Sequence, residues 1–155
     1  MGAIGFQYKM DGAERLQRAY RNAAKAAQYP HDLLVDIAEH LLTSTKKNFD
    51  TRGDGLWAPV KRKTPWAPLR SQRDRLYKAA TQRNAEGNLF VIGRNYVTVG
   101  VDPKVIKYAR AHQKGYRKRN LPARPYAYVR KTDASVIARK AGFWMQSTLK
   151  AGLIR

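Results

Sequence analysis

The sequence contains no cysteine, only 11 acidic residues and only 3 histidines among its 155 residues. Without cysteine there is no disulfide framework, no thiolate metal ligand and no thiol nucleophile. His31, His40 and His112 are far apart and match no metal-binding spacing, so we interpret each as a structural or surface histidine. The acids of the C-terminal part are few and scattered, which disfavours a two-metal nuclease site. We therefore predict that the protein is not an enzyme and needs no metal, cofactor or small-molecule substrate.

Long apolar runs are also absent. No run approaches the ~18 residues that a transmembrane helix needs. The first residues lack a basic segment followed by an apolar one, so we expect no secretory signal and no membrane contact. These features suit a protein that is made and assembled in a cytoplasm.

Positive charge, in contrast, is in large excess, since 31 Lys and Arg residues give a net charge of +20. The excess is uneven: residues 1–57 carry 8 basic and 7 acidic side chains, whereas residues 58–155 carry 23 and 4. Such asymmetry favours a polyanion or an acidic partner for the C-terminal two-thirds. A solvated basic surface that serves solubility is the alternative interpretation.

Hydrophobic periodicity predicts two helices in the N-terminal third. The first follows the start pattern of Asp11 and Glu14 and is ended by Pro30. The second covers about 31–49, and its apolar stripe consists of Leu34, Ile37, Ala38, Leu41, Thr45 and Phe49. Residues 50–73, rich in Gly and Pro, predict an extended basic loop in which Trp57 and Trp66 dock on the chain's own core or on a neighbouring subunit.

The rest of the chain mixes short strands with helices. A helix near 73–80 precedes an antiparallel meander of two or three strands. Its clearest strands are 89–92 and 96–101, which are joined by a turn at 93–95, and a second candidate turn lies at 84–88. Residues 104–113 are predicted to be helical, and 122–129 extended. A last helix at about 133–151 is expected to be capped by Thr132 or Asp133. This order predicts one α+β domain over 1–155, with N-terminal helices, a small antiparallel sheet and a C-terminal helix packed on that sheet.

Basic residues form two clusters that are interleaved with aromatic residues. They include Lys61, Arg62 and Lys63 beside Trp66, and Arg117, Lys118 and Arg119 beside Tyr116. Lys and Arg neutralise phosphates and release counterions, while aromatic rings stack on bases. No known DNA- or RNA-reading motif is present, so sequence-specific recognition is not expected. The clusters predict contact with DNA or with an acidic partner, and ordinary half-buried loops remain the alternative.

Several short motifs follow one another from Phe49 to Leu149. A Gly-x-Trp-x-Pro element occurs at 55–59, soon after Phe49. Further pieces are Arg73-Asp74-Arg75-Leu76, Val99-Gly100-Val101, Tyr108-Ala109, His112-Gln113 and Gly115. The most specific piece is Leu121-Pro122-Ala123-Arg124-Pro125-Tyr126, and a helix that begins near Asp133 follows it. In this order the motifs resemble the phage virion morphogenesis family, the tail-completion proteins of Mu-like and P2-like phages.

The resemblance implies an α+β fold and a ring of identical subunits, by analogy a hexamer. Such a ring completes the tail or joins head and tail, next to neck, connector or tail-tube proteins. It implies a location in the virion, at the head–tail junction or tail end, after assembly in the host cytoplasm. The resemblance implies no catalytic residues. On this basis Trp57, Trp66, His112, Arg124 and Tyr126 are predicted to lie at subunit or partner interfaces.

Two alternatives stay open at this stage. Pro122 and Pro125 hold Arg124 in a defined direction, where it pairs with a carboxylate either within a subunit or between subunits. The competing functional hypothesis, motivated by the charge, is a nucleic-acid-binding protein without sequence preference.

Overall fold

The computed structural model describes residues 13–57 and 75–154. Within these ranges the chain forms five α-helices and two β-strands, which confirms the predicted α+β class. The elements are α1 (Ala13–Ala27), α2 (His31–Asp50), α3 (Arg75–Thr81), β1 (Asn88–Ile92), β2 (Val97–Val101), α4 (Ala109–Lys114) and α5 (Lys131–Ile154). The predictions for Lys61, Arg62, Lys63 and Trp66 lie outside the described residues.

Helix α2 is the central element, because it contacts α3, α5 and both strands. Of the predicted stripe, Leu34, Ala38, Thr45 and Phe49 are buried, whereas Ile37 and Leu41 are half-buried. Two polar residues of the same face, Ser44 and Asn48, are buried as well. The stripe is therefore apolar at the start of the helix and partly polar toward its end.

The two strands form an antiparallel hairpin in which Asn88 lies opposite Val101 and Ile92 opposite Val97. The predicted turn is closed by the Gly93 N–H, which donates to the carbonyl of Tyr96 at 2.8 Å. An isolated two-stranded hairpin is only marginally stable in water. Here α2 and α3 both pack against it and supply the missing apolar contact.

The C-terminal helix α5 packs mainly on α1 and α2, so the prediction that it packs on the sheet was wrong. The helices that pack against the hairpin are α2 and α3 instead. Helix α1 buries Ala19 and Ala23, one turn apart, and its main partner is α5. An ion pair between Lys140 and Asp36, 3.6 Å long, also joins α5 to α2.

The predicted helix at 104–113 is shorter in the structure, where α4 begins only at Ala109. Asp102 explains the difference, because it organises turns before the helix. Its carbonyl accepts the N–H groups of Val105 and Ile106, and its carboxylate accepts the Lys104 N–H at 2.8 Å. Turn-forming hydrogen bonds of this kind compete with helix formation.

The core centres on aromatic rings that surround Phe49, in the last turn of α2. Its ring meets Trp57 edge-on at 5.7 Å and Tyr77 edge-on at 5.4 Å, and it stacks on Tyr126 at 5.4 Å. Each such pair contributes about 0.5–1.5 kcal/mol beyond the burial of area. Leu76, Ala79, Ala80, Ile106 and Ala109 complete the buried cluster.

A left-handed turn after α2 carries Trp57 back to this cluster. Four consecutive residues have positive φ, namely Arg52 at 54°, Gly53 at 62°, Asp54 at 58° and Gly55 at 83°. The turn is held by the Gly53 N–H, which donates to the Asn48 carbonyl at 2.7 Å, and by the Trp57 N–H, which donates to the Arg52 carbonyl at 3.2 Å. Non-glycine residues adopt this conformation at a cost of roughly 1–2 kcal/mol each.

We expect Gly53→Ala to destabilise the protein more than Gly55→Ala. Both changes place a side chain on left-handed backbone, at roughly 1–2 kcal/mol. Only at Gly53 would the new Cβ also lie 2.4 Å from Nε1 of Trp57, whereas at Gly55 it meets nothing within 4 Å. This overpacking adds about 1–3 kcal/mol, measurable as the free energy of unfolding in urea. An equal decrease in the free energy of unfolding in the two variants would contradict the packing of Trp57 on Gly53.

Candidate functional site

Segment 122–130 does not belong to a strand, and two of its side chains, Arg124 and Tyr126, are buried. Two amide side chains pair with its backbone instead. Gln113 accepts the N–H groups of Tyr126 at 3.0 Å and Ala127 at 3.2 Å, and donates to the carbonyl of Ala127 at 2.8 Å. Asn48, which is fully buried, donates to the carbonyl of Tyr126 at 2.9 Å. These bonds replace the ladder that a neighbouring strand would provide.

The indole of Trp57 adds a third side-chain contact, since its Nε1–H donates to the carbonyl of Pro125 at 3.2 Å. We call Asn48, Trp57 and Gln113 the clamp. They come from α2, from the left-handed turn and from α4. Three regions of the chain thus converge on one irregular segment.

Close backbone packing at Gly115 fixes where this segment begins. Gly115 has a φ of 78°, and a Cβ there would lie 2.9 Å from the backbone nitrogen of Ala123. Just after it, Tyr116 and Leu121 pair through two backbone hydrogen bonds of 2.8 and 3.1 Å. Both features draw residues 121–123 against the end of α4.

His112 and Arg124 are buried next to one another, with 7% and 5% of their surface exposed. The Arg124 N–H donates to the His112 carbonyl at 2.7 Å. Burial, and then the charge of Arg124, lowers the pKa of His112, and burial lowers the pKa of the Arg124 guanidinium. In the part of the chain that the structure describes, His112 Nδ1 has no hydrogen-bond partner, and no carboxylate forms an ion pair with Arg124.

Arg130, at the end of the same segment, is paired. Its guanidinium donates to Oδ1 of Asn48 and lies 3.3 Å from the carboxylate of Asp54. It also lies above the ring of Tyr128, 5.8 Å from the centroid. Arg130 therefore joins the left-handed turn to α2 and to segment 122–130.

Asp133 joins the start of α5 to α2. Its carboxylate accepts Ser44 Oγ at 2.8 Å, the Arg130 N–H at 2.8 Å and His40 Nε2 at 3.0 Å. Asp133 lies in the first turn of α5, and its carboxylate accepts the N–H of Arg130, the residue just before the helix. The prediction that Thr132 or Asp133 itself is the cap was therefore wrong, because the helix begins at Lys131.

Four of the five predicted interface residues occupy the interior of the subunit, and the fifth, Trp66, lies outside the described residues. Trp57, His112, Arg124 and Tyr126 are all buried, and Trp57 docks on the chain's own core. Burial also raises the pKa of Tyr126 to about 12. In the monomer these four side chains therefore form the interior of the site. Their role at an interface stays a prediction.

Basic residues extend along the chain beside this site. Arg117 and Lys118 are exposed in a 3-10 turn, Arg117–Arg119, and the side chain of Arg119 lies outside the described set. We call the exposed residues Lys104, Lys107, Arg110, Lys114, Arg117 and Lys118 the basic stretch. Tyr116, with 43% exposure, lies within it. No acidic residue occurs between Asp102 and Asp133, so local charge does not offset the basic stretch.

Sequence reasoning missed Asn48, Arg130 and the pairing of Ser44 with Asp133. The available signal was weak: Ser44 and Asn48 interrupt an apolar stripe at helical spacing, which indicates polar groups that must be satisfied in a core. Gln113 was noticed only as part of a motif, because its three hydrogen bonds depend on tertiary structure.

Metal-binding clusters and membrane-spanning helices are both absent from the described ranges, 13–57 and 75–154. No group of three or more His, Asp or Glu side chains there is arranged to hold a metal ion. None of the helices described is long and apolar enough to cross a membrane.

Comparison with known proteins gives no match: no protein-family model, no curated protein and no solved structure matches the chain. The resemblance to tail-completion proteins therefore stays a prediction from the motifs. What the geometry defines is an α+β domain in which a clamp holds an irregular, proline-bounded segment beside a basic stretch.

We expect Asp133→Asn to lower the free energy of unfolding by about 1–3 kcal/mol at neutral pH. Burial by itself raises the carboxyl's pKa, but the hydrogen bonds from Arg130, Ser44 and His40 outweigh it and leave the pKa below its usual 3.8. The folded pKa is lower than the unfolded one, so the stabilisation is full above the unfolded pKa and is lost as the pH falls through the folded pKa.

Urea unfolding between about pH 7 and about pH 3 measures this difference. The difference in the free energy of unfolding between the native protein and the variant should decrease as the pH falls. Asp32→Asn, at an exposed position of α2, is the control and should change little. A difference in the free energy of unfolding that does not change with pH would contradict the role of the Asp133 carboxylate.

Proposed function

We propose that the protein is a structural component of a tailed-phage particle, a ring-forming subunit that completes the tail or joins head and tail. The observation that carries the proposal is the convergence of the motif residues. Phe49, Trp57, Gln113 and Tyr126 come from separate motifs and meet in one cluster around segment 122–130. Trp57 and Pro125, for example, are 68 residues apart in sequence and share a hydrogen bond of 3.2 Å.

This convergence supports the resemblance for a physical reason. Motifs that match by chance have no reason to pack against each other, whereas motifs of one structural unit do. The Pro-Ala-Arg-Pro-Tyr string, the most specific of them, is the segment that the others hold. The motif residues therefore belong to one packed cluster rather than to unrelated stretches of sequence.

The proposal predicts discrete rings of identical subunits, by analogy hexamers. Closed rings arise from head-to-tail contacts that repeat until they meet. Native mass spectrometry and negative-stain electron microscopy of the purified protein check this, alone and mixed with tail tubes or head connectors. A protein that stays strictly monomeric in all of these samples would overturn the proposal.

A second candidate, a nucleic-acid-binding protein without sequence preference, is favoured by the basic stretch. Its six cations are exposed, lie within 15 consecutive positions of the sequence and include Arg110 and Lys114 one turn apart on α4. Cations presented in this way neutralise phosphates and release counterions on binding. Tyr116 offers an aromatic face for stacking on an exposed base.

We expect replacement of Lys114, Arg117 and Lys118 by Gln to weaken binding to DNA at low salt. The slope of log affinity against log salt should fall by about 0.9 for each phosphate that the variant no longer neutralises. The control replaces Arg15, Arg18 and Lys25, three exposed cations of α1, by Gln and removes the same charge. Fluorescence anisotropy with a labelled duplex measures both. Equal effects would show that net charge alone drives binding, and no binding at low salt would exclude this candidate.

A further inference from the structure

Arg124 is the buried cation of the core that lacks a counterion in residues 13–57 and 75–154. It retains 5% exposure, and its neighbour His112 leaves Nδ1 without a hydrogen-bond partner. A buried charge without a partner is costly, so cores generally pair such groups. Burial, and then the charge of Arg124, lowers the pKa of His112, which disfavours a second positive charge beside Arg124.

The neighbouring polar groups show that the core otherwise satisfies its buried charges. Asp133 accepts three hydrogen bonds, and Arg130 has both Asp54 and Asn48 as partners. The backbone of Arg124 is also paired, through its N–H to His112. Asn88 Oδ1 and Arg130 Nε also lack a hydrogen bond, but both residues are paired through their other atoms. In the described ranges the guanidinium of Arg124 has no ion pair and His112 Nδ1 has no hydrogen bond.

We propose that Arg124 and His112 form a receptor for a carboxylate side chain from a second copy of this chain. The inference rests on the proposed function and assigns one contact of its ring. The planar guanidinium matches a carboxylate with two parallel hydrogen bonds. The neighbouring His112 also lacks a hydrogen bond at Nδ1. In a head-to-tail ring the receiving half of each contact lacks its partner in the single subunit.

The charge distribution of the chain indicates where the carboxylate comes from. Residues 1–57 hold 7 of the 11 acidic side chains. Glu14, Asp32, Asp36 and Glu39 are exposed on α1 and the first half of α2. The basic stretch adjoins Arg124 and attracts such a surface during encounter. An acidic N-terminal face that docks on the Arg124 side of the next copy repeats around a ring.

Arg124→Met is the principal test, because the proposal predicts opposite effects on folding and on assembly. The change keeps an unbranched apolar stem and removes the charged guanidinium. We expect the dissociation constant for subunit association to rise at least about 30-fold, as for loss of one partner of a buried charged pair. The urea midpoint of the dissociated subunit, measured at high dilution, should stay the same or rise, because an unpaired buried charge is removed.

Two further variants complete the test. Arg124→Lys keeps the charge but not the planar fork, so association should weaken by an intermediate factor. Arg130→Met is the matched control: it breaks the contacts with Asp54 and Asn48, and should lower the urea midpoint of the subunit. Association is measured by analytical ultracentrifugation with native mass spectrometry.

The outcomes separate this inference from the function on which it rests. Rings in the native protein that persist at unchanged affinity in Arg124→Met would overturn the inference alone. A lowered urea midpoint in Arg124→Met with normal association would show that its partner lies within the subunit, and would overturn it as well. Weaker DNA binding in Arg124→Met with normal rings would assign the site to phosphate instead. Absence of rings from the native protein under all conditions would overturn both proposals.

Discussion

The backbone of residues 124–127 must find hydrogen-bond partners inside a core that offers it no neighbouring strand. Gln113 and Asn48 solve this constraint with side-chain amides, and Trp57 adds its indole N–H. An unpaired buried peptide group costs about 1–3 kcal/mol, so the segment is compatible with burial only while these bonds persist. The aromatic packing of Phe49 on Tyr126, the left-handed turn and the start of α5 all depend on the position of this segment.

The left-handed turn is a consequence of the contact between Trp57 and Pro125. To supply Pro125 with a donor, Trp57 must return to the core within a few residues of the end of α2. Four residues with positive φ achieve this reversal, and Gly53 provides the space for the indole. The backbone cost at Arg52 and Asp54 is offset by the burial of Trp57 and by the ion pair between Asp54 and Arg130.

Local signals in the sequence predicted most of the secondary structure, since they depend on neighbours along the chain. Periodicity identified α2, β-propensity identified the hairpin, and Gly115 marked the end of α4. Two helices begin at other residues than predicted, α4 because of the turn-forming hydrogen bonds of Asp102 and α5 because Asp133 lies inside its first turn. Errors of this kind are common at helix boundaries. The packing of α5 on α1 could not be predicted, because an apolar helix face can pack against either a sheet or another helix. The partners of Asn48 and Gln113 likewise depend on contacts between distant residues.

The distance between these partners in sequence has a kinetic consequence. Asn48 and Tyr126 are separated by 78 residues, and Trp57 and Pro125 by 68. The segment gains its hydrogen bonds only after the end of α2 and α4 have come together, so a large loop must close before the contacts stabilise it. Chains with many contacts of this kind fold slowly compared with helical bundles of similar length. Docking of the Pro-Ala-Arg-Pro-Tyr string, which buries Arg124, therefore closes a much longer loop than formation of the hairpin does.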